Sequence, residues 1–350
     1  MNEYFYKLTP QVIIDSVESN DFVTTGLCWK LNSLENRVYD LELEDKSHVV
    51  VKFYRPGRWT KDQILEEHDF LFDLQENEIP VCAPIKFKDN SSLKEIEGIY
   101  YAIWPRTGGR CIDEFSDAHL SQLGRLLGRI HQAGKLKKTK YRLNLDAVTL
   151  AQKPLSFLQN NKIIPSSCEK KYIDAVNTIC SIFDELIKGV PFHRIHGDCH
   201  IGNLLFRDNQ FFFLDFDDFC NGPAIQDFWM IASNSDSEGL KKLYILIENY
   251  STFCDFEESW LNLIEPLRTL RFIHYAGWIA KRWDDPSFKN AFPHFGSEEY
   301  WLSGTKDLEE QIKTIENTSK IIINNSIQID SSDNEEPELT NKELFWDWEE

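Results

Sequence analysis

At 350 residues and 42% hydrophobic, the chain is far too long for a small stapled module and has room for one large or two smaller domains with a substantial core. Its formal charge of -19 argues against a nucleic-acid partner, because phosphate backbones are held mainly by Lys and Arg. Eight cysteines without a CxxC pair or framework spacing exclude a disulfide scaffold and read as reduced thiols.

The opening MNEYFYKLTPQVIIDSVES has no basic start followed by an apolar core, and no later stretch reaches 18 uncharged apolar residues. Neither export nor membrane spanning is expected, which leaves the cytoplasm as the default compartment. A short helix is predicted over residues 9 to 19, then strands at Leu27 to Trp29, Arg37 to Leu43 and His48 to Tyr54, with Asn32, Ser33, Asp45 and Lys46 as turn formers. Residues 61 to 75 form a helical pattern that places Ile64, Leu71 and Leu74 on one face. Glu67 falls on that stripe and Glu66 does not, so one acid points inward. Two more strands are expected around Ile85 to Phe87 and Ile99 to Trp104, and the junction between two lobes follows at Pro105 and RTGGR. From residue 117 the pattern is helical, with Leu120, Leu123, Leu127 and Ile130 on one face of a helix ending near His131. The run Lys135, Lys137, Lys138, Lys140 and Arg142 has two readings, a solvated loop or a patch for an anionic substrate. Further helices are expected at 168 to 188, 238 to 250 and 257 to 283. Between them, the apolar runs Asn203 to Phe206 and Phe211 to Leu214 flank a turn-like Arg207-Asp208-Asn209-Gln210 and read as a hairpin. Residues 321 to 350 carry nine carboxylates and one lysine, and disorder is expected from about 326, with a final LFWDW that either docks or floats.

The motif HGDCHIGN at 196 to 203, followed twelve residues after its asparagine by Asp215 in FFLDFDD, repeats the D-x-x-x-x-N, hairpin, D-F spacing of kinases. Such chemistry needs one group to orient a hydroxyl toward a terminal phosphate and hard oxygen ligands for a divalent metal that neutralises phosphate charge. Asp198 fits the base, and Asn203 and Asp215 fit the magnesium ligands, Asp215 being counted with Asp198 among the catalytic residues. Lys52 in VVVKFY lies in a strand suited to burial, where a charge usually has a partner, and Glu67 is the natural one. The alternatives are an edge-strand lysine reaching water and a glutamate at a helix margin. GxxxxGK[ST] and GxGxxG are both absent, so Asn32, Ser33 and Asn36 are assigned to the phosphate-covering turn by position alone. His196 reads as support for the 196 to 203 loop and His200 as a residue at its entrance, since no HExxH or cysteine cluster accompanies them for zinc. Asp227 either caps a helix or accepts hydrogen bonds from that loop. Tyr275, Trp278 and Trp283 are core aromatics or, alternatively, a cage for a quaternary amine.

HGDxHxGN with its following D-F-x-D resembles the aminoglycoside phosphotransferase and choline kinase superfamily. More closely, the chain to about residue 315 is similar to the bacterial stress-response serine/threonine kinases in ENRVY at 35 to 39, VVKFYRPGRWTKDQILEEH at 50 to 68, GGR at 108 to 110, NGPAIQD at 221 to 227, IEPLR at 264 to 268 and RWDDP at 282 to 286. The resemblance implies an α+β, bilobal, protein-kinase-like fold with an antiparallel β-sheet N-lobe and a mainly helical C-lobe. It divides the chain into an ATP-binding lobe at 1–104, a catalytic and substrate lobe at 105–320 and an acidic tail at 321–350. It further implies ATP as co-substrate with magnesium, Lys52 as the ATP-anchoring lysine, Trp104, Pro105 and Arg106 at an adenine-contacting hinge, protein serine or threonine hydroxyls as acceptors, autophosphorylation and a monomer. A small alcohol such as choline or homoserine is the alternative acceptor, with identical catalytic residues. Asp215-Phe216-Asp217 stands where protein kinases have D-F-G, and no APE landmark follows. Switching by glycine-dependent flipping or by phosphorylation of a long loop is therefore not expected.

Overall fold

The computed structural model describes residues 4–232 and 236–324. The chain forms two compact units, residues 1–144 with 191–256 and residues 145–190 with 257–350. The lobe junction expected at residue 105 falls inside the first of these.

The first unit opens with α1 (Pro10–Glu18), started by Thr9, whose hydroxyl accepts from the Val12 N–H, and by Pro10 at the first helical position. Strands β1 (Thr24–Lys30), β2 (Arg37–Leu43), β3 (His48–Phe53), β4 (Lys94–Ile96) and β5 (Ile99–Pro105) form an antiparallel sheet in the order β1-β2-β3-β5-β4, with helix α2 (Lys61–Glu76) between β3 and β4. The strand alternation sorts side chains cleanly. Val49, Val51 and Phe53 join Leu41, Ile103 and the α1 residues Ile13 and Val17 in one core. The opposite face brings Ala102 and Trp104 toward Ile64 of α2, together with Tyr54. Lys52 falls on this second face, because it pairs with Ala102 while its neighbours Val51 and Phe53 face the α1 core.

The strand expected at Ile85 to Phe87 is not formed. Ile85 N–H donates to Ile103 O, but the chain then closes a turn in which Asn90 N–H donates to Phe87 O with Asn90 in the left-handed region. The turn formers Asp89 and Asn90 end the pairing after one bond, and the edge strand is β4 instead.

α3 (Asp117–Lys135) carries a Ser116–His119 capping box, and its predicted face Leu120, Leu123, Leu127 and Ile130 is buried. α4 (Lys153–Asn160) and α5 (Glu169–Leu186) belong to the second unit. The first unit resumes with β6 (His193–Ile195), the hairpin β7 (Leu204–Arg207) and β8 (Gln210–Phe213), β9 (Cys220–Gly222) paired to β6, and helices α6 (Ile225–Trp229) and α7 (Ser237–Tyr250). The predicted hairpin is present, its turn residues Asp208 and Asn209 both at positive φ. α3 and α7 pack closely because Gly124 and Gly128 present no side chain: a Cβ on Gly124 would lie 2.4 Å from Leu246 O.

In the second unit, α8 (Ile264–Lys281), α9 (Pro286–Ala291) and α10 (Glu298–Asn324) join α4 and α5. The helix expected at 257 to 283 starts as a 3-10 turn, Glu258–Leu263, and becomes α-helical only at Ile264. Pro266 lacks the N–H that would extend the α ladder back to Asn262. Trp301 of α10 is fully buried edge-on to Tyr172 of α5. The acidic segment from 326, with its LFWDW, lies outside the described residues.

Candidate active site

β3 delivers Lys52 into a buried position between the sheet and α2, where its ammonium group lies 2.9 Å from Asp215 Oδ1, 3.1 Å from Asp217 Oδ1 and 4.0 Å from Glu67 Oε1. Burial opposes the charge, yet Asp215, Asp217 and Glu67 together hold the lysine well above its ordinary pKa, so it is a fixed cation. Glu67 does face inward from α2 as its place on the apolar stripe predicts. Its nearer partner is the Arg142 guanidinium, Nη2 to Oε2 at 2.8 Å, so the Lys52–Glu67 contact is the looser of its two ion pairs. Burial pushes the Glu67 carboxyl upward against the pull of Lys52 and Arg142.

The hairpin β7–β8 carries the acid and the amide. Leu204 pairs with Phe213, and the Leu214 N–H donates to Asn203 O, so Asn203 and Asp215 leave the same open end of the hairpin on opposite strands. Asn203 donates from Nδ2 to Asp198 O at 2.9 Å, so Oδ1 is the atom it could offer a cation. Asp215 sits in the left-handed region, φ 49°, ψ 69°, a conformation costing a non-glycine residue about 1 kcal/mol or more. Its side chain is half exposed while the adjoining Phe216 is buried against Phe70 of α2 and the His196 ring. Asp217 is buried. Its Oδ2 receives Arg58 Nη1 at 2.6 Å and Asn36 Nδ2 at 3.3 Å. Burial alone would raise the Asp217 pKa, but Arg58, Lys52 and Arg142 hold it well below the usual carboxylate range. With three cationic or polar groups already on it, Asp217 anchors the turn, whereas the half-exposed Asp215 has Lys52 as its ion partner.

The 196 to 203 loop rests on Asp227. Its Oδ2 accepts from the His196 N–H at 2.8 Å and from His131 Nε2 at 3.0 Å, and its Oδ1 accepts from the Gly197 N–H at 2.8 Å. Of the two expected roles for Asp227, this is the loop-supporting one; the N-cap position of α6 is Ala224, which offers no side-chain cap. The His196 ring donates from Nε2 to Leu214 O at 2.8 Å and accepts the Asp198 N–H at Nδ1, a placement that ties loop to hairpin. Asp198 itself is partly buried, with His200 Nε2 3.6 Å from its Oδ2.

The turn before β2 is reached differently from expectation. Asn32 is exposed and Ser33 half-buried, but Asn36 is buried, donating to Asp217 and accepting the Arg55 N–H with Oδ1. Its side chain therefore fastens the turn to the 215–217 segment and is not free for phosphate. Trp104 stands on the Lys52 face of β5, its ring 5.8 Å from Lys52 Nζ. Arg106 next door turns its guanidinium onto Asp40 of β2 at 2.9 Å. Two arginines that the sequence did not single out for the site complete it. Arg58 bridges Asp217, Asp218 and Glu35. Arg142, grouped in sequence with the exposed lysines, is buried, which corrects its place in a solvated or anion-binding patch. The signal was its setting in Tyr141-Arg142-Leu143, more apolar than the lysine run before it.

The late aromatics lie in the second unit. Tyr275 and Trp278, three apart on α8, stack at 5.2 Å and 14°, and the Arg282 guanidinium lies 5.0 Å from the Trp278 ring. Phe288 and Phe292 meet the same ring. Trp283 meets Phe295 at 4.9 Å.

Residues 30–253 match the family model described as the phosphotransferase enzyme family. Stress response kinase A of Escherichia coli (strain K12) is 39% identical over 321 residues, covering 89% of this chain and 95% of the relative. A serine/threonine protein kinase of Salmonella typhimurium, RdoA, is 39% identical over 313 residues, covering 89% and 94%. Among solved structures, an amicoumacin kinase in complex with AMP-PNP, Ca2+ and Ami superposes with a TM-score of 0.72 at 18% identity, covering 89% of this chain and 96% of that one, a likeness of fold. The chain belongs to the phosphotransferase enzyme family and, within it, to the group of stress response kinase A.

Proposed function

We propose that this chain is a magnesium-dependent kinase that moves the terminal phosphate of ATP to serine or threonine hydroxyls of proteins, itself included, and works as a cytoplasmic monomer. The observation that carries the acceptor class is its similarity over 89% of its length to stress response kinases, one of them named a serine/threonine protein kinase. The division of labour is a lobe at 1–104 that holds ATP and a lobe at 105–320 that brings base and acceptor.

Lys52 is the anchor for the α and β phosphates: a cation fixed in β3 by carboxylates that nucleotide binding can displace. Ser33 and Asn32 offer the phosphate-covering turn, and Trp104 with the backbone of Pro105 and Arg106 offers the edge for the adenine. Asn203 and Asp215 give an all-oxygen donor pair from one hairpin end, which fits magnesium, and that ion when bound neutralises charge on the phosphate oxygens. Asp198 orients the acceptor hydroxyl and takes its proton. The acceptor oxygen forms its bond to the γ-phosphorus as the bond from phosphorus to the β–γ bridging oxygen breaks, and ADP leaves with that electron pair. Asp227 and His196 act by holding the Asp198 backbone still, which preserves the orientation that transfer needs.

The test is transfer of labelled phosphate from Mg-ATP to a generic basic protein and, separately, to choline, ethanolamine, homoserine and aminoglycosides. Label on protein serine or threonine is expected. Rapid turnover of one small alcohol with only trace protein labelling would replace this reading with a metabolite kinase.

A further inference from the structure

The buried Arg142 is the least expected member of the site. Nη2 donates to Glu67 Oε2 and Nη1 to the Asp217 carbonyl, both at 2.8 Å. The guanidinium is sandwiched by the Trp59 ring at 4.4 Å and the Phe219 ring at 4.7 Å. The backbone leading to it is also fastened: the N–H groups of Lys140, Tyr141 and Arg142 all donate to the Glu66 carboxylate, the last two at 2.8 and 2.6 Å. Gln63 Nε2 adds a bond to Tyr141 O at 3.0 Å. Gln63, Glu66 and Glu67 are spaced three and four apart, so one side of α2 is stapled to residues 140–142.

We propose that Arg142 is a positioning residue for phosphoryl transfer, locking α2 through Glu67 and the 215–217 turn through the Asp217 carbonyl into one frame that keeps Glu67 from capturing Lys52. This rests on the kinase reading above and deepens it. In protein kinases the lysine–glutamate pair is made or broken as the helix bearing the glutamate moves, often under control of a phosphorylated loop. Here Glu67 is satisfied by Arg142 at 2.8 Å and touches Lys52 only at 4.0 Å, so the lysine is not recruited away from Asp215 and Asp217. A fixed arginine does the work of a movable activation element, which accounts for a site complete without a long loop after Asp217. Without Arg142, a buried carboxylate would be left with Lys52 as its nearest cation and would draw the ammonium toward α2, away from the phosphates it is to anchor.

The experiment compares Arg142→Met, Arg142→Lys and Glu66→Ala in the full chain, with the exposed Lys138→Ala as control. The readouts are Mg-ATP affinity by tryptophan fluorescence, kcat and KM for ATP, and amide exchange across residues 61–76. Arg142→Met is expected to lower kcat by roughly tenfold or more and to raise the KM for ATP several-fold, with faster exchange in α2. Arg142→Lys recovers only part, because one ammonium cannot span both acceptors in the guanidinium geometry. Glu66→Ala, which removes the staple from a half-buried position, shows the same changes to a smaller degree, and Lys138→Ala none. Unchanged kcat and KM in a folded Arg142→Met protein would overturn the proposal. If that variant does not fold, wild-type kinetics and exchange in Glu66→Ala would overturn it. If the unaltered protein transfers phosphate to no acceptor, the kinase reading fails, while nucleotide affinity and exchange still report on the lock.

Discussion

Replacing Asp227 tests how far the 196 to 203 loop depends on one buried carboxylate. The residue is fully buried and receives three donors, the His196 and Gly197 N–H groups at 2.8 Å and His131 Nε2 at 3.0 Å. Asp227→Asn keeps the shape but turns one accepting oxygen into an NH2 group facing an N–H. With the amide oxygen left toward His196 and His131, the Gly197 N–H loses a charge-assisted bond and is stranded, at a cost of about 1–3 kcal/mol. Asp227→Ala strands all three donors, and at about 1–3 kcal/mol each the loss is a large part of a typical stability. Urea unfolding followed by tryptophan fluorescence reads the stability, and phosphate transfer reads the loop. The expected order is wild type, Asn, Ala in both, with activity falling more steeply than stability in the Asn protein because Asp198 directly follows the broken contact at Gly197. An Asn variant within about 1 kcal/mol of wild type and fully active would refute the reasoning.

Gly197→Ala should be inactive even where it folds. The glycine sits at φ +82°, and its added Cβ would meet Asp218 O at 2.5 Å, so the loop and the 215–218 turn must separate; an active alanine variant would contradict this. Stability should fall as pH drops below the ordinary histidine range. Burial depresses His68 to about 3 and His193 to about 2, so below about 6.5 the unfolded chain takes up protons that the folded chain refuses. Each then costs about 1.4 kcal/mol per pH unit, fully present as stability above 6.5 and lost progressively toward the folded values. His68→Gln should flatten the slope of the urea midpoint between pH 6.5 and 5, and a midpoint independent of pH over that range would refute the assignment.

Much of this site was legible because its chemistry is local in sequence. The spacing from Asp198 to Asn203 and across the hairpin to Asp215 is set by one loop and one turn, and the register that puts Asn203 opposite Leu214 follows from the two apolar runs alone. Glu67 was readable from helical periodicity, and the sheet from its alternation. What escaped depends on residues brought together from far apart. Arg142 reaches Glu67 and Asp217 across 75 residues each way, and its apolar neighbours Tyr141 and Leu143 are a signal too slight to name those partners. Asn36 was placed near phosphate by position, whereas its contact with Asp217 spans 181 residues. The short strands β6 and β9 escaped for a related reason: each is three residues long, too short for any period, and exists because the other is there.

The most direct test of the account separates binding from chemistry at the proposed base and metal ligand. Mg-ATP affinity and phosphate transfer should be measured for the unaltered chain, Asp198→Ala and Asp215→Ala, with far-ultraviolet circular dichroism to show that each is folded. Asp198→Ala is expected to bind Mg-ATP as the unaltered chain does while losing transfer by roughly a hundredfold or more, and Asp215→Ala to lose magnesium-dependent turnover. Undiminished transfer by Asp198→Ala would remove it as the base, and full activity in Asp215→Ala would remove the metal assignment and with it the account of the site.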